Sequence, residues 1–221
     1  MSKAILIFLS LFSVAVAPRA PGGSARQQPG RVVDRIVARV EDDIILQSQV
    51  RQLGAFQKLV DGSSESDDKL VNELIEQWIV QTEASAAHFP QPAKSEVDRE
   101  MARLSGQFAD TAKYQARLNE LGLSATDVRE MLTRQIYVER YLDSKFRPTV
   151  QVAQADIDAY YKVQLVPELA KKNEPPPARA AVQEQIREVL VQRQISDLTM
   201  KWLDDTKSRL RIEIEKPGPS Q

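Results

Sequence analysis

Only two stretches of this chain alternate apolar and polar residues with the two-residue period of a half-buried strand, and they lie far apart in sequence. In residues 32–40, Val32, Ile36, Ala38 and Val40 fall on even positions and Arg35 and Arg39 on odd ones. In residues 209–215, Leu210, Ile212 and Ile214 share one face and Arg211, Glu213 and Glu215 the other. A short strand alone is not stable in water. The two are therefore expected to pair antiparallel, so that the folded part closes on itself. That pairing sets Arg35 or Arg39 across from Glu213 or Glu215, worth about 0.2–1 kcal/mol per cross-strand pair. Everything between reads as helix, which predicts a mainly α fold with a small antiparallel strand pair formed by the N-terminal and C-terminal segments.

The helices follow from apolar spacing and stop signals. Glu41, Asp42 and Asp43 suit a tight turn, residues 44–46 are a short apolar run, and Ser48 is expected to cap a helix carrying Val50 and Leu53. The polar loop 61–68 offers Ser66 and Asp67 as caps for a strongly amphipathic helix. Its stripe is Leu70, Val71, Leu74, Ile75, Trp78 and Ile79, and Pro90 and Pro92 stop it after about residue 87. Ser95, with Asp98 three residues on, is expected to start a helix in which Val97, Met101, Leu104 and Phe108 share a face. A short helix with Tyr114, Leu118 and Leu121 ends at Gly122. Ser124 and Asp127 then open a long one over about residues 125–146, with Val128, Met131, Leu132, Gln135, Val138 and Leu142 on one side. Residues 149–152 read as an extended link, residues 155–164 as helix, and residues 180–207 as a last long helix.

Charge and composition narrow the function. Thirty basic against thirty-one acidic residues give a net charge of −1, with no long block of either sign, so no phosphate-binding face is visible and nucleic-acid binding is not expected. The absence of cysteine excludes disulfides and thiolate chemistry. Residues 1–17 combine Lys3 with a run of small and apolar residues too short to span a bilayer comfortably, and Ser13, Ala15 and Ala17 offer cleavage positions, the pattern of an export signal. Residues 18–30, rich in Pro, Gly, Ser and Gln, read as a flexible linker, and the Pro217-Gly218-Pro219 tail, 217–221, as disordered. No integral membrane segment is expected once the signal is removed.

Several of these stretches resemble one family. RIVARVEDDIILQSQVRQL, residues 35–53, is similar to the opening of SurA-type periplasmic chaperones and parvulin-like foldases, except that Gln49 stands where an acid is usual. The run P-T-V-Q-V at 148–152, the following D-I-x-x-Y-Y and the closing W-L-(x)7-R-I-x-I from Trp202 to Ile214 resemble the same family. The resemblance implies a single SurA N-terminal-like module over 31–216, with 31–161 as its N-terminal part and 178–216 as its closing helix and strand. Residues 162–177, a proline-rich linker, stand where a foldase would carry its isomerase domain. It also implies a periplasmic location and an ATP-independent holdase that binds unfolded, aromatic-rich segments of exported or outer-membrane proteins.

No residue constellation supports a reaction. Parvulin sites are built around a histidine pair, whereas this chain has one histidine, His88, better placed to end a helix than to catalyse. One imidazole without thiolates makes no metal site, and no glycine-rich phosphate loop occurs, so no cofactor is expected. Adaptable methionines and aromatics suit a groove that accepts many unfolded sequences. Met101 and Phe108 on one helix, with Met131 and Tyr137 on another, are the candidate substrate-binding residues. A prolyl isomerase assigned by family, and a helical adaptor with one specific partner, are the alternatives; the oligomeric state is not fixed by the residues.

Overall fold

The computed structural model describes residues 34–215; the expected export signal, the linker 18–30, Val32 and the tail lie outside them. Strands β1 (Ile36–Val40) and β2 (Asp43–Leu46) form a hairpin, followed by helices α1 (Gln47–Val60), α2 (Asp67–Ala86), α3 (Lys94–Ser105), α4 (Thr111–Leu121) and α5 (Ala125–Phe146). A short 3-10 turn leads to α6 (Gln154–Tyr160), a π-helical segment (Tyr161–Leu165) and α7 (Val166–Lys171). The long α8 (Arg179–Lys207) and β3 (Ile212–Ile214) complete the element order.

The chain does close on itself. The sheet has the order β2-β1-β3, with β1 antiparallel to both neighbours, and Arg39 lies opposite Glu213. Arg211 ties the closure further: its backbone N–H donates to Glu41 Oε1 at 2.7 Å, and its guanidinium reaches the Glu41 carbonyl and Asp42 Oδ1, both at 3.0 Å. Alternation holds at Ala38 and Val40, both buried, with Arg39 exposed. It fails at Val37, which is buried, because the register shifts between Ile36 and Ala38. Such a bulge turns an extra side chain to the covered face. A second departure is Ile214, which stands 52 % exposed although it shares a face with Ile212.

The apolar run 44–46 belongs to β2 rather than leading loosely into the helix, and this moves the cap. Helix α1 begins at Gln47, so Ser48 lies inside its first turn and does not cap it. Gln49 Oε1 instead accepts the Leu46 N–H at 2.8 Å, while the Ser48 N–H donates to Asp34 Oδ1 at 3.2 Å. The hydroxyl and N–H of Ser48 hold the Asp34 carboxyl below its ordinary value. Ser95 is also displaced: α3 starts one residue earlier, after Ala93. Ser66 does precede α2, but its side chain makes no capping bond.

Helix ends are built by a recurring device. Gly122, at φ 68°, closes α4 with Gly122 N–H to Asn119 O and Leu123 N–H to Leu118 O, the two bonds of a Schellman motif. The same pair of bonds ends α2 at His88 and α7 at Asn173, both in the left-handed region at φ 53° and 58°. Residues 162–171 of the expected proline-rich link are helical, and α6, the π-helical segment and α7 run on without a break; Pro167 lies just beyond the π-helical segment, where the ladder departs from the α pattern as it does around an interrupting proline. Only the stretch after Asn173 is extended, and Tyr161 fastens it by donating to the Pro177 carbonyl at 2.7 Å.

Two cores result. One joins the sheet (Ala38, Val40, Ile45), the start of α1, most of α2, Tyr137 and Tyr141 of α5, and Leu203 of α8. The other joins Phe56 and Leu59 late in α1, Val97 and Leu104 of α3, Tyr114 and Leu118 of α4, and the first half of α5. Gly54 lies where α1 crosses α2, and a Cβ there would stand 3.1 Å from Leu70 Cδ1. Among the described residues no helix is long and apolar enough to cross a membrane.

Candidate functional site

The principal concavities open along α5, between the helices that share it. A cavity of about 450 Å³ is bounded by α1, α2, α5 and the end of α8, with Leu53, Phe56, Val80, Met131, Val138 and Leu203 among its apolar walls. A second, more open one of about 700 Å³ lies between β2, α2 and α5 and is walled by Ile44, Ile45, Trp78 and Tyr137. Gln49, Leu74, Gln77 and Arg134 line both, so the two adjoin as one groove.

The rim is rich in side-chain amides. Gln52, Gln57 and Gln135 border the first cavity, Gln81 and Gln91 the second, and Gln49 and Gln77 both. Some are already engaged: Gln57 and Gln77 donate to the two oxygens of Glu73 at 2.8 and 3.1 Å, and Gln52 donates to Asp127 at 2.8 Å. Burial in this wall pushes the Glu73 carboxyl above its ordinary value against the amide bonds that favour the anion. The Thr199 hydroxyl, on α8, faces the first cavity's lining, and its oxygen is buried without a hydrogen-bond partner in the protein. A buried hydroxyl left unpaired is costly.

The four residues chosen from sequence separate. Met101 and Phe108 are half-buried against the second core and line neither cavity. Met131 is buried in that core and also reaches the wall of the first cavity. Tyr137 is buried in the other core; its ring packs against Phe89 with centroids 5.9 Å apart, and its hydroxyl donates to the Phe89 carbonyl at 3.3 Å. Its edge borders the second cavity. The structure thus groups Met101, Phe108 and Met131, places Tyr137 apart, and puts only Met131 and Tyr137 on the groove.

The glutamines and Arg134 were missed because polar side chains on helices usually face water. Their spacing carried the signal: Gln49, Gln52 and Gln57 on α1 and Gln77 and Gln81 on α2 recur at three, four and five residues, along the edge of each apolar stripe. His88 is exposed and ends α2. Among the described residues no cluster of three or more His, Cys, Asp or Glu could hold a metal ion. Compared with protein-family models and with curated proteins, the sequence matches none.

Proposed function

We propose that the protein is an exported, SurA-like holdase that binds extended, apolar and aromatic-rich segments of unfolded polypeptides in the groove along α5, without ATP and without isomerase activity. The observation that carries this reading is the pairing of an apolar floor with a rim of glutamine amides. An unfolded chain offers apolar side chains in no fixed order and a backbone that both donates and accepts hydrogen bonds. A glutamine amide also does both; Gln81 and Gln91, whose side chains make no hydrogen bond among the described residues, can meet whichever backbone group lies above them, beside the unengaged halves of the Gln49, Gln52 and Gln77 amides. Leu74, Met131 and Leu203 meanwhile cover apolar side chains, at about 25 cal/mol per Å² removed from water. Reversible capture of this kind lowers the concentration of aggregating chain and needs no catalytic residue.

Suppression of light scattering when a denatured outer-membrane protein is diluted into nucleotide-free buffer tests this. Dose-dependent suppression is expected, weakened by Leu74→Ser, a substitution in the wall shared by both cavities. No suppression by a protein whose circular dichroism shows it folded, together with no binding of aromatic-rich peptides, overturns the reading.

A further inference from the structure

One cation on α5 stands apart from the others. Arg129 bonds Asp98 at 2.6 Å, Arg140 bonds Glu96 at 3.2 Å, and Lys145 lies 3.9 Å from Glu83. Arg147, just beyond the helix, pairs with Asp143 and Glu188. Arg134 is half-buried at the junction of the two cavities and makes no ion pair or hydrogen bond among the described residues. A guanidinium carries five donors in a planar fork that matches a carboxylate. Partial burial makes an unmet fork more costly than one in open water.

The charges around it are unequal on the two sides. Among the described residues, Arg134 is the only lysine, arginine, aspartate or glutamate lining the second cavity. The first is lined also by Asp61, Glu73, Glu76 and Glu139, of which Glu76 is neutralised by Lys207. An anion entering the second cavity is drawn to Arg134, and repulsion from Glu73 and Glu139 opposes its passage beyond. Apolar walls at Ile45, Trp78 and Leu74 accompany the approach. An interior Asp or Glu reaches Arg134 only while its backbone continues past it toward the acidic side. A chain terminus carries its charge on the backbone itself and stops there.

We propose that the second cavity receives the C-terminal end of a bound polypeptide, with its α-carboxylate held by the Arg134 guanidinium and its last apolar side chains against Trp78 and Ile45. The inference rests on the polypeptide-binding reading and adds an end preference to it. A client would then be held by its last residues, the part of the chain that leaves the ribosome and the export channel last.

The test is binding of a fluorescent apolar, aromatic-rich peptide to the full chain, made with a free C-terminus, with an amidated C-terminus, and amidated with one internal Glu. The free acid is expected to bind about tenfold or more tightly than the amide, as fits a charge-assisted hydrogen-bonded pair. In Arg134→Gln, checked for unchanged helicity, the free acid should fall to the level of the amide and the difference between them vanish. Arg134→Lys should keep part of the preference, since it retains the charge without the fork. Equal binding of acid and amide by the unaltered protein, or a persisting difference in Arg134→Gln, overturns the proposal while leaving polypeptide binding intact. If the internal Glu restores full affinity to the amide, Arg134 reads side-chain acids and the end preference is wrong. Failure of every peptide to bind removes the holdase reading and this inference with it.

Discussion

Removing the carboxylate of Asp127 should loosen α5 from α1 as well as fray its start. Asp127 Oδ2 accepts from the Ser124 N–H at 2.7 Å and its hydroxyl at 2.6 Å, and Ser124 Oγ accepts the Asp127 N–H at 3.1 Å. The other oxygen, Oδ1, accepts from Gln52 Nε2 of α1 at 2.8 Å, a tie across 75 residues of sequence. An alanine at 127 keeps the backbone N–H that Ser124 Oγ caps and loses the reciprocal bonds from Ser124, at a cost of about 0.5–1 kcal/mol. Loss of the tie adds roughly 0.5–1 kcal/mol, toward the low end because the group is partly solvated. Asp127→Ala should therefore cost about 1–2 kcal/mol, or a fall in Tm of about 2–8 °C for a domain of this size. Urea unfolding followed by circular dichroism, in a cycle with Gln52→Ala, should show a coupling of about 0.5–1 kcal/mol. The same bonds hold the Asp127 carboxyl below its ordinary 3.8. A depressed folded value means that this stabilisation is present above pH 3.8 and is lost as pH falls through the folded value. The variant and the unaltered protein should thus converge in acid. Additive single effects, or a loss no larger than that of the exposed control Thr126→Ala, would refute the role assigned to this carboxylate.

Three further outcomes follow from the packing and the charges. Leu118→Ala, at a fully buried position of the second core, should cost about 2–5 kcal/mol in urea unfolding; a cost under half the lower figure would mean that the core collapses around the gap. His88→Gly relieves a left-handed residue at φ 53° and should raise stability by about 1 kcal/mol, a prediction that an unchanged or lowered Tm defeats. For Glu73, burial raises the folded carboxyl above 4.5, so the ionised group is a burden above the folded value, relieved as pH falls through it toward 4.5. Glu73→Gln should therefore unfold at higher urea than the unaltered protein at pH 7, with the gap narrowing as acid is added; a gap that widens would reverse the sign of the argument.

The fold was legible where one local signal dominated. Ser124 with Asp127, Gly122 and the stripe of α2 each state their structure within a few residues, and the strand alternation at both ends was enough to predict closure; it left Arg35 or Arg39 opposite Glu213 or Glu215, and the register selects Arg39 with Glu213. Failures arose where a distant partner decided the outcome. Ser48 reads as a cap, yet pairing of residues 44–46 with β1 extends the strand and leaves capping to Gln49. Val37 stands at an odd position between Arg35 and Arg39, yet a bulge visible only in the register turns it in. The groove was the least legible, because its distinguishing residues are ordinary surface glutamines and one arginine. Only the convergence of α1, α2 and α5 makes them a rim.

That convergence has a physical origin in how α5 is shared. Its first half supplies Val128, Met131, Leu132 and Ile136 to one core, and its second half supplies Tyr137 and Tyr141 to the other. Helix α1 divides in the same way, with Val50 and Leu53 in one core and Phe56 and Leu59 in the other. Two cores that draw on the same pair of helices hold them in fixed relation at both ends, and the space along them that neither core fills remains as the groove. Arg134 lies within one helical turn of the change from Met131 to Tyr137, at the boundary where the helix passes from one core to the next. The groove is preorganised by packing on either side, and Leu118, Ile75 and Ile79, which hold the two cores, lie outside its lining.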